Sequence, residues 1–214
     1  MKKIVLIIVI VVALVGVGFG AYYLGTSNKK EEPANTTPTN TQNTTNVPPA
    51  TYETFSETGG YVGFDTVSEW TSIAPEEVQK AIPAEQRHGY EVVYYAANPE
   101  GIILSVAKKP LVKGTVTLEQ NFEDDLTLAQ QQSASYRLIN KKVTDEYAEV
   151  EATIPINNTP YTIYGRAVMK SVPEGNQDLY YLLQVSVPSN RSQAYGEVIR
   201  HLLDSLTLFP ATVN

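Results

Sequence analysis

Residues Ile4 to Leu24 read IVLIIVIVVALVGVGFGAYYL, an apolar run without a single charge. As a helix rising about 1.5 Å per residue, its roughly 21 residues would extend about 32 Å, close to the roughly 30 Å hydrocarbon core of a bilayer. Lys2 and Lys3 precede the run, and Tyr22 and Tyr23 fall where interfacial aromatics belong. A cleaved signal peptide is the rival reading, with Gly18 and Gly20 as small residues before a cut, but its apolar region usually spans only about 7–15 residues. Residues 1–25 therefore read as an uncleaved transmembrane signal anchor. Lys29 and Lys30 nearly balance Lys2 and Lys3 across the span, so orientation rests on the N-terminal amine and on the stalk-like segment after the run. Both favour a cytoplasmic N-terminus and a C-terminal domain outside the cell membrane. Gly16 and Gly20 form a GxxxG pair through which two anchors could pack.

Residues 26–50, TSNKKEEPANTTPTNTQNTTNVPPA, are a different material. With almost nothing apolar to bury, such a segment cannot offset its own ordering entropy, so a disordered Asn/Thr/Pro-rich stalk is expected. Asn35 and Asn43 sit in N-x-[ST] acceptor patterns, as do Asn157 and Asn190 further on. Asn/Thr-rich text generates such patterns by chance, and no single one demands glycosylation.

Residues 51–214 are long enough for one core. The chain carries 16 Lys+Arg against 23 Asp+Glu. Setting aside Lys2, Lys3, Lys29, Lys30, Glu31 and Glu32 leaves 12 against 21 beyond the stalk, a net charge of -9. A domain that acidic repels phosphate backbones, which argues against nucleic acid and against direct binding of anionic lipid headgroups. Cysteine is absent, which removes disulfides, thiol catalysis, Cys-ligated metals and lipidation at a mature N-terminal cysteine.

Within this domain, the β-rich runs Tyr90–Ala97 and Ile102–Lys109 flank Asn98-Pro99-Glu100-Gly101, a hairpin signal. Ala148, Val150, Ala152 and Ile154 alternate with polar residues at period two. Strands over Tyr161–Lys170 and Leu179–Val187 come after the Asn157-Asn158 turn, so an antiparallel meander is expected. Thr117-Leu118-Glu119-Gln120 has the spacing of a capping box, with Leu118, Phe122, Leu126 and Ala129 at helical spacing behind it. A second helix is expected over Asn190–Asp204, then a terminal strand Ser205–Phe209 stopped by Pro210. Mixed strands and helices without strict alternation give an α+β class, an antiparallel sheet flanked by helices.

This order of elements resembles the PsbP-like family. The matching text is Gly59-Gly60-Tyr61-Val62-Gly63-Phe64 followed by Trp70, then the Tyr90–Lys109 hairpin and the helix opened by Thr117-Leu118-Glu119. At the end, the helix through Ile199 and the closing Ser205-Leu206-Thr207-Leu208 resemble the family's terminal elements. Val67-Ser68-Glu69 stands where the family usually carries proline and glycine before the Trp. The resemblance spans nearly all of residues 52–210. It implies an α/β/α sandwich with a central antiparallel sheet, and members that mostly bind, stabilise or help assemble complexes beyond a membrane without catalysing.

A search for chemistry returns little. Of the two histidines, His88 has Glu85 and Glu91 nearby in sequence, but a loop histidine facing solvent accounts for it. His201, beside Arg200 near the end of the last helix, is explained by the helix dipole. Glu123-Asp124-Asp125 invites a calcium reading, but consecutive carboxylates on a helix point apart and lack the glycine bend of a calcium loop. No G-x-S-x-G, phosphate-binding loop, dinucleotide or HExxH pattern is present. Tyrosine is enriched, 14 residues against a single Trp. Tyr94, Tyr95, Tyr161, Tyr164, Tyr180 and Tyr181 could line a platform for a glycan or a protein, although adjacent strand positions face opposite sides of a sheet. No catalytic, cofactor-binding or metal residue is assigned, and no cofactor is expected. The expected function is a membrane-anchored, extracytoplasmic, non-catalytic binding or complex-assembly module. The alternatives are a small hydrolase or metal-dependent enzyme without a legible motif, and a structural envelope component.

Overall fold

Every strand after the first helix is long enough to pair along most of its length, and the pairing is antiparallel throughout. The computed structural model describes residues 49–209 apart from 59 and 174. The expected anchor, most of the expected stalk, the Gly16–Gly20 pair, Asn35 and Asn43 lie outside the described residues. Among the described residues, no helix is long and apolar enough to cross a membrane.

Among the described residues, ten strands form two sheets. β1 (Tyr52–Ser56), β2 (Val62–Val67) and β10 (Thr207–Leu208) make a small sheet in the order β1-β2-β10. The remaining strands are β3 (Thr71–Ser72), β4 (Glu91–Ala97), β5 (Ile103–Val112), β6 (Arg137–Val143), β7 (Ala148–Ile156), β8 (Thr159–Ser171) and β9 (Gln177–Pro188). They form a seven-stranded sheet in the order β3-β4-β5-β9-β8-β7-β6. The helices are α1 (Pro75–Ala81), α2 (Leu118–Gln132) and α3 (Gly196–Asp204), with one turn of 3₁₀ helix at Ala84–Gln86.

Local chemistry sets several of these elements. Between β4 and β5, the Asn98 side chain accepts hydrogen bonds from the backbone N–H of Glu100 (3.0 Å) and Ile102 (2.9 Å), while Gly101 supplies a positive φ of 80°. Asn157 and Asn158 both take positive φ, 49° and 66°, as a tight two-residue hairpin between β7 and β8 requires. The capping box at α2 is complete: Thr117 Oγ1 accepts from the Gln120 N–H at 3.1 Å, and the Gln120 side chain accepts from the Thr117 N–H at 2.9 Å.

The last helix is shorter than its periodicity predicts, starting at Gly196 and not at Asn190. Ser189 to Tyr195 form successive turns instead, with Ser192 donating to the Ser189 carbonyl at 2.9 Å. Serine and asparagine compete for backbone partners in this way, and here they win over helix propagation.

Two packed layers cover the large sheet. On one face, Leu118, Phe122, Leu126 and Ala129 of α2 meet Ala148, Ala152 and Ile154 of β7 and Ile163 and Ala167 of β8. Beside them, Val78 and Ile82, on and just after α1, pack on Val92, Tyr95 and Ile103. On the other face, Val62, Phe64 and Val67 of β2 and Val198, Ile199 and Leu202 of α3 pack on Leu104, Val106, Leu183 and Val185. The outer layer there is part helix and part sheet, so the implied α/β/α sandwich is modified: the small sheet shares one helical layer. Trp70 is buried in that second core.

Candidate functional site

The second layer does not reach across the whole large sheet. It covers β4, β5, β9 and, at Thr162 and Val168, part of β8, then stops at α3, leaving the rest of that face on β8, β7 and β6 open. The result is a groove of about 530 Å³ whose floor is Tyr147, Glu149, Tyr164 and Arg166 and whose wall is α3. Glu149 and Arg166 are directly paired across β7 and β8, so their side chains meet on this face.

The groove is charged, and the charges on its floor are engaged. Arg166 donates to Glu149 through Nε (2.8 Å) and Nη2 (2.5 Å), and through Nη2 to Asp204 on α3 at 2.6 Å. Its guanidinium lies 4.6 Å from the centre of the Tyr147 ring. Lys142 of β6 stands 4.9 Å from the same ring and donates to the Tyr147 hydroxyl. That hydrogen bond is the main reason the Lys142 ammonium is held above the ordinary lysine range. Tyr147 is thus bracketed by two cations, an arrangement that fixes its ring and gives the floor a rigid aromatic step.

The nearest approach to a catalytic constellation lies elsewhere, where β2 meets α3. His201 Nε2 is 2.9 Å from Asp65 Oδ2, its ring stacks on Tyr52 at 3.8 Å, and Ser205 is close by. The serine hydroxyl is already committed. It donates to the Leu202 carbonyl at 2.7 Å and accepts from the Asp65 backbone N–H at 2.9 Å. A nucleophile needs its proton directed at a base, and this one is directed at a carbonyl. The set clamps β2 to α3. His201 is therefore in the last helical turn, as its position predicts, and it also has a carboxylate partner that local sequence could not reveal, 136 residues away.

His88 is exposed in a turn at φ 46° and hydrogen-bonds the Gln132 side chain at 3.0 Å. Its sequence neighbour Glu91 faces Lys108 instead, at 3.7 Å. The acidic trio divides as its helical spacing requires: Glu123 reaches Lys141 on β6, Asp124 faces solvent, and Asp125 turns inward. Among the described residues no three His, Asp or Glu side chains converge as a metal site would need.

Asp125 was legible in the sequence only as part of that trio, yet it is the centre of a buried polar cluster. The Tyr90 hydroxyl donates to it, Asn121 approaches at 3.3 Å and Lys109 at 3.6 Å. Tyr180 is close enough for its ionisation to respond to Asp125, but its hydroxyl makes no well-formed hydrogen bond. Burial raises the Asp125 carboxyl above the ordinary aspartate range, against the opposing pull of Tyr90 and Lys109. The cluster anchors α2 to β5 and β9.

The tyrosines separate by face as strand alternation demands. Tyr180 belongs to the core under α2 and Tyr181 to the core under β2 and α3. Tyr95, Tyr161, Tyr180 and Tyr181 are all buried, which removes them from any exposed platform. Tyr94 and Tyr164 are half-buried, and Tyr164 alone reaches the groove. Asn157 and Asn190 are exposed in turns, as expected.

No known family profile matches the chain, and no curated protein matches it in sequence. Solved structures do. Cyanobacterial PsbP (CyanoP) from Synechocystis sp. PCC 6803 matches with a TM-score of 0.50 at 12% identity, covering 76% of this chain and 95% of that one. LpqN, described as involved in cell envelope biogenesis of Mycobacterium tuberculosis, has a TM-score of 0.45 at 9% identity, covering 74% and 92%. The Ran-binding protein Mog1p of Saccharomyces cerevisiae has a TM-score of 0.44 at 9% identity, covering 75% and 96%. Such identities speak to fold alone. The chain has the PsbP-like fold that its sequence layout resembles.

Proposed function

We propose that residues 51–214 are a non-catalytic binding or complex-assembly module, held outside the cell membrane by the 1–25 anchor on the 26–50 stalk. The groove on β6, β7 and β8 is the face through which it binds. One observation carries this reading: the β6 end of one sheet face is left uncovered, and the charges on its floor are paired and stacked, not poised for proton transfer. A preorganised polar floor with a fixed aromatic is what recognition of a polypeptide uses. The burial of most strand tyrosines weighs against a glycan platform. The anchor and stalk rest on the length of the apolar run and the composition of the linker.

A photo-crosslinking residue at Tyr164, in the full-length chain in its own membrane, tests the proposal. Adducts of defined mass are expected there and not from the same residue at exposed Lys80. Absence of groove adducts, or substrate turnover abolished by Arg166→Met, would overturn it, the latter in favour of an enzyme.

A further inference from the structure

The seven-stranded sheet ends on two unlike edges. β3 is two residues long and offers almost nothing to pair with, whereas β6 runs for seven residues with β7 as its single neighbour among the described residues. It is exposed from Arg137 to Lys142. An edge of that length presents a row of backbone donors and acceptors to solvent, and its cations and the irregularity between Leu138 and Asn140 bar indiscriminate edge pairing while leaving it open to a strand of opposite charge. β6 also differs from its surroundings in charge. It carries Arg137, Lys141 and Lys142 and no acid, in a domain whose net charge is -9 on 12 basic and 21 acidic residues. Leu138 and Ile139, 37% and 55% exposed, are two of the four large apolar side chains left in solvent among the described residues.

We propose that the β6 edge takes an acidic, extended segment of a partner protein as an eighth strand. This rests on the reading of the adjoining groove as a binding face and adds the chemistry of what binds. The cations lie on both sides of the edge: Lys142 points into the groove beside Tyr147, and Lys141 points the other way to Glu123 on α2. A strand alternating carboxylates with apolar residues would meet Lys142 on one face and Leu138 and Val143 on the other. Charge selects the occupant. A second copy, pairing β6 to β6 antiparallel, would set Arg137, Lys141 and Lys142 against the same three cations, with β6 itself supplying no carboxylate, which is repulsive. In the chain's own residues 26–50, Glu31 and Glu32 are offset by Lys29 and Lys30 and followed by Pro33, Pro38, Pro48 and Pro49, so the segment carries no net negative charge and cannot complete a ladder. An acidic strand of another protein answers both.

The test uses the full-length chain in detergent micelles and a fluorescein-labelled peptide of alternating Glu and Val, about eight residues long, an ordinary strand length. Saturable binding by anisotropy is expected, with no binding of a Lys/Val peptide. Lys141→Glu with Lys142→Glu should weaken binding by about tenfold or more. Lys80→Glu with Lys113→Glu, an equal change of charge away from the edge, should leave it within about twofold. The same peptide N-methylated at alternate residues keeps its charge but loses its donors, and it should not bind. Equal binding of the methylated peptide, equal binding by the Lys141/Lys142 double variant, or no binding at all would overturn the proposal. Concentration-dependent dimers abolished by that double variant would overturn it in favour of a second copy. Groove crosslinks that persist in the double variant would sink the acidic-strand assignment alone, leaving the binding-module reading standing. Absence of those crosslinks in the parent chain would sink the binding-module reading.

Discussion

The two halves of the large sheet were built to different rules. β9 lies in the half covered on both faces, and from Asp178 to Pro188 only Leu182 is not fully buried. β6 lies at the end of the half covered on one face, and only Val143 is even partly shielded. β9 accordingly reads as a continuous run, DLYYLLQVSVP, while β7 alternates and β6 is polar with cations. Double coverage gives stability and no access, and single coverage gives access at little cost in stability. The proposed binding face lies in the second half.

The sharpest way to break this contrast is a cavity in each half. Leu183 is fully buried between the layers, so Leu183→Ala should cost about 2–5 kcal/mol in urea unfolding. Val150 of β7, half-buried beside the core under α2 in the open half, should lose about 1 kcal/mol as Val150→Ala, because it is only partly enclosed. Equal losses would mean that the open half is as tightly coupled to the fold as the closed one.

Arg166 sharpens the comparison at the boundary, since it joins the open face to α3 through Glu149 and Asp204. Arg166→Met should cost about 1–2 kcal/mol, mostly from leaving part-buried Glu149 without its donor. Asp204 is largely exposed, so Asp204→Asn should change stability by less than about 0.5 kcal/mol. Paired thermal melts would read both, and a larger loss from Asp204→Asn would show that α3 is held chiefly by that bridge.

Two carboxylates extend the contrast to pH, with opposite signs. Asp125 has its folded pKa raised by burial, so the folded protein keeps a proton that the unfolded chain releases. Stability contributed by this group therefore falls as pH rises from the ordinary aspartate value through the raised one. Asp178, at the start of β9, is lowered, first by the Ser171 hydroxyl and then by the Gly114 N–H. Its contribution is present above the unfolded value and lost as pH falls through the folded one. Between about pH 3 and 7, the melting temperature of Asp125→Asn relative to the parent should climb, and that of Asp178→Asn should decline. Parallel trends would refute the buried environment assigned to Asp125.

Much of the order of strands, turns and helices was legible in the sequence. Period-two alternation marks β7, the Asn98–Gly101 and Asn157-Asn158 turns mark two hairpins, and Thr117 to Gln120 marks the start of α2. These signals are local, and local chemistry decides them. β6 was not legible: RLINKKV has neither the alternation nor the apolar content of a buried strand, because an edge strand packs little and its pairing with β7 supplies the fold. α1, opened by Pro75 with one buried residue, is too short to show a period. The groove could not be foreseen for a related reason. Arg166, Glu149 and Asp204 are brought together by strand register and by where α3 stops, and no spacing along the chain encodes that meeting.

The smallest expected effect on stability is the most informative about use. Ile139 sits at the irregularity between Leu138 and Asn140, where β6 has an extra residue relative to β7, and it is more than half exposed. A bulged residue makes no ladder pair and fills no core, so Ile139→Ser should change unfolding free energy by no more than about 0.5 kcal/mol. If the fold were the only reason for this side chain, serine would serve as well, since an exposed isoleucine on an edge strand invites aggregation. If the edge accepts an acidic strand, the isoleucine covers one end of that strand, and serine should weaken the Glu/Val peptide several-fold, roughly the 1 kcal/mol of a half-buried aliphatic contact. A variant with unchanged melting temperature and weakened peptide binding would place Ile139 in recognition. Unchanged binding would confine the recognition to the backbone edge and its lysines.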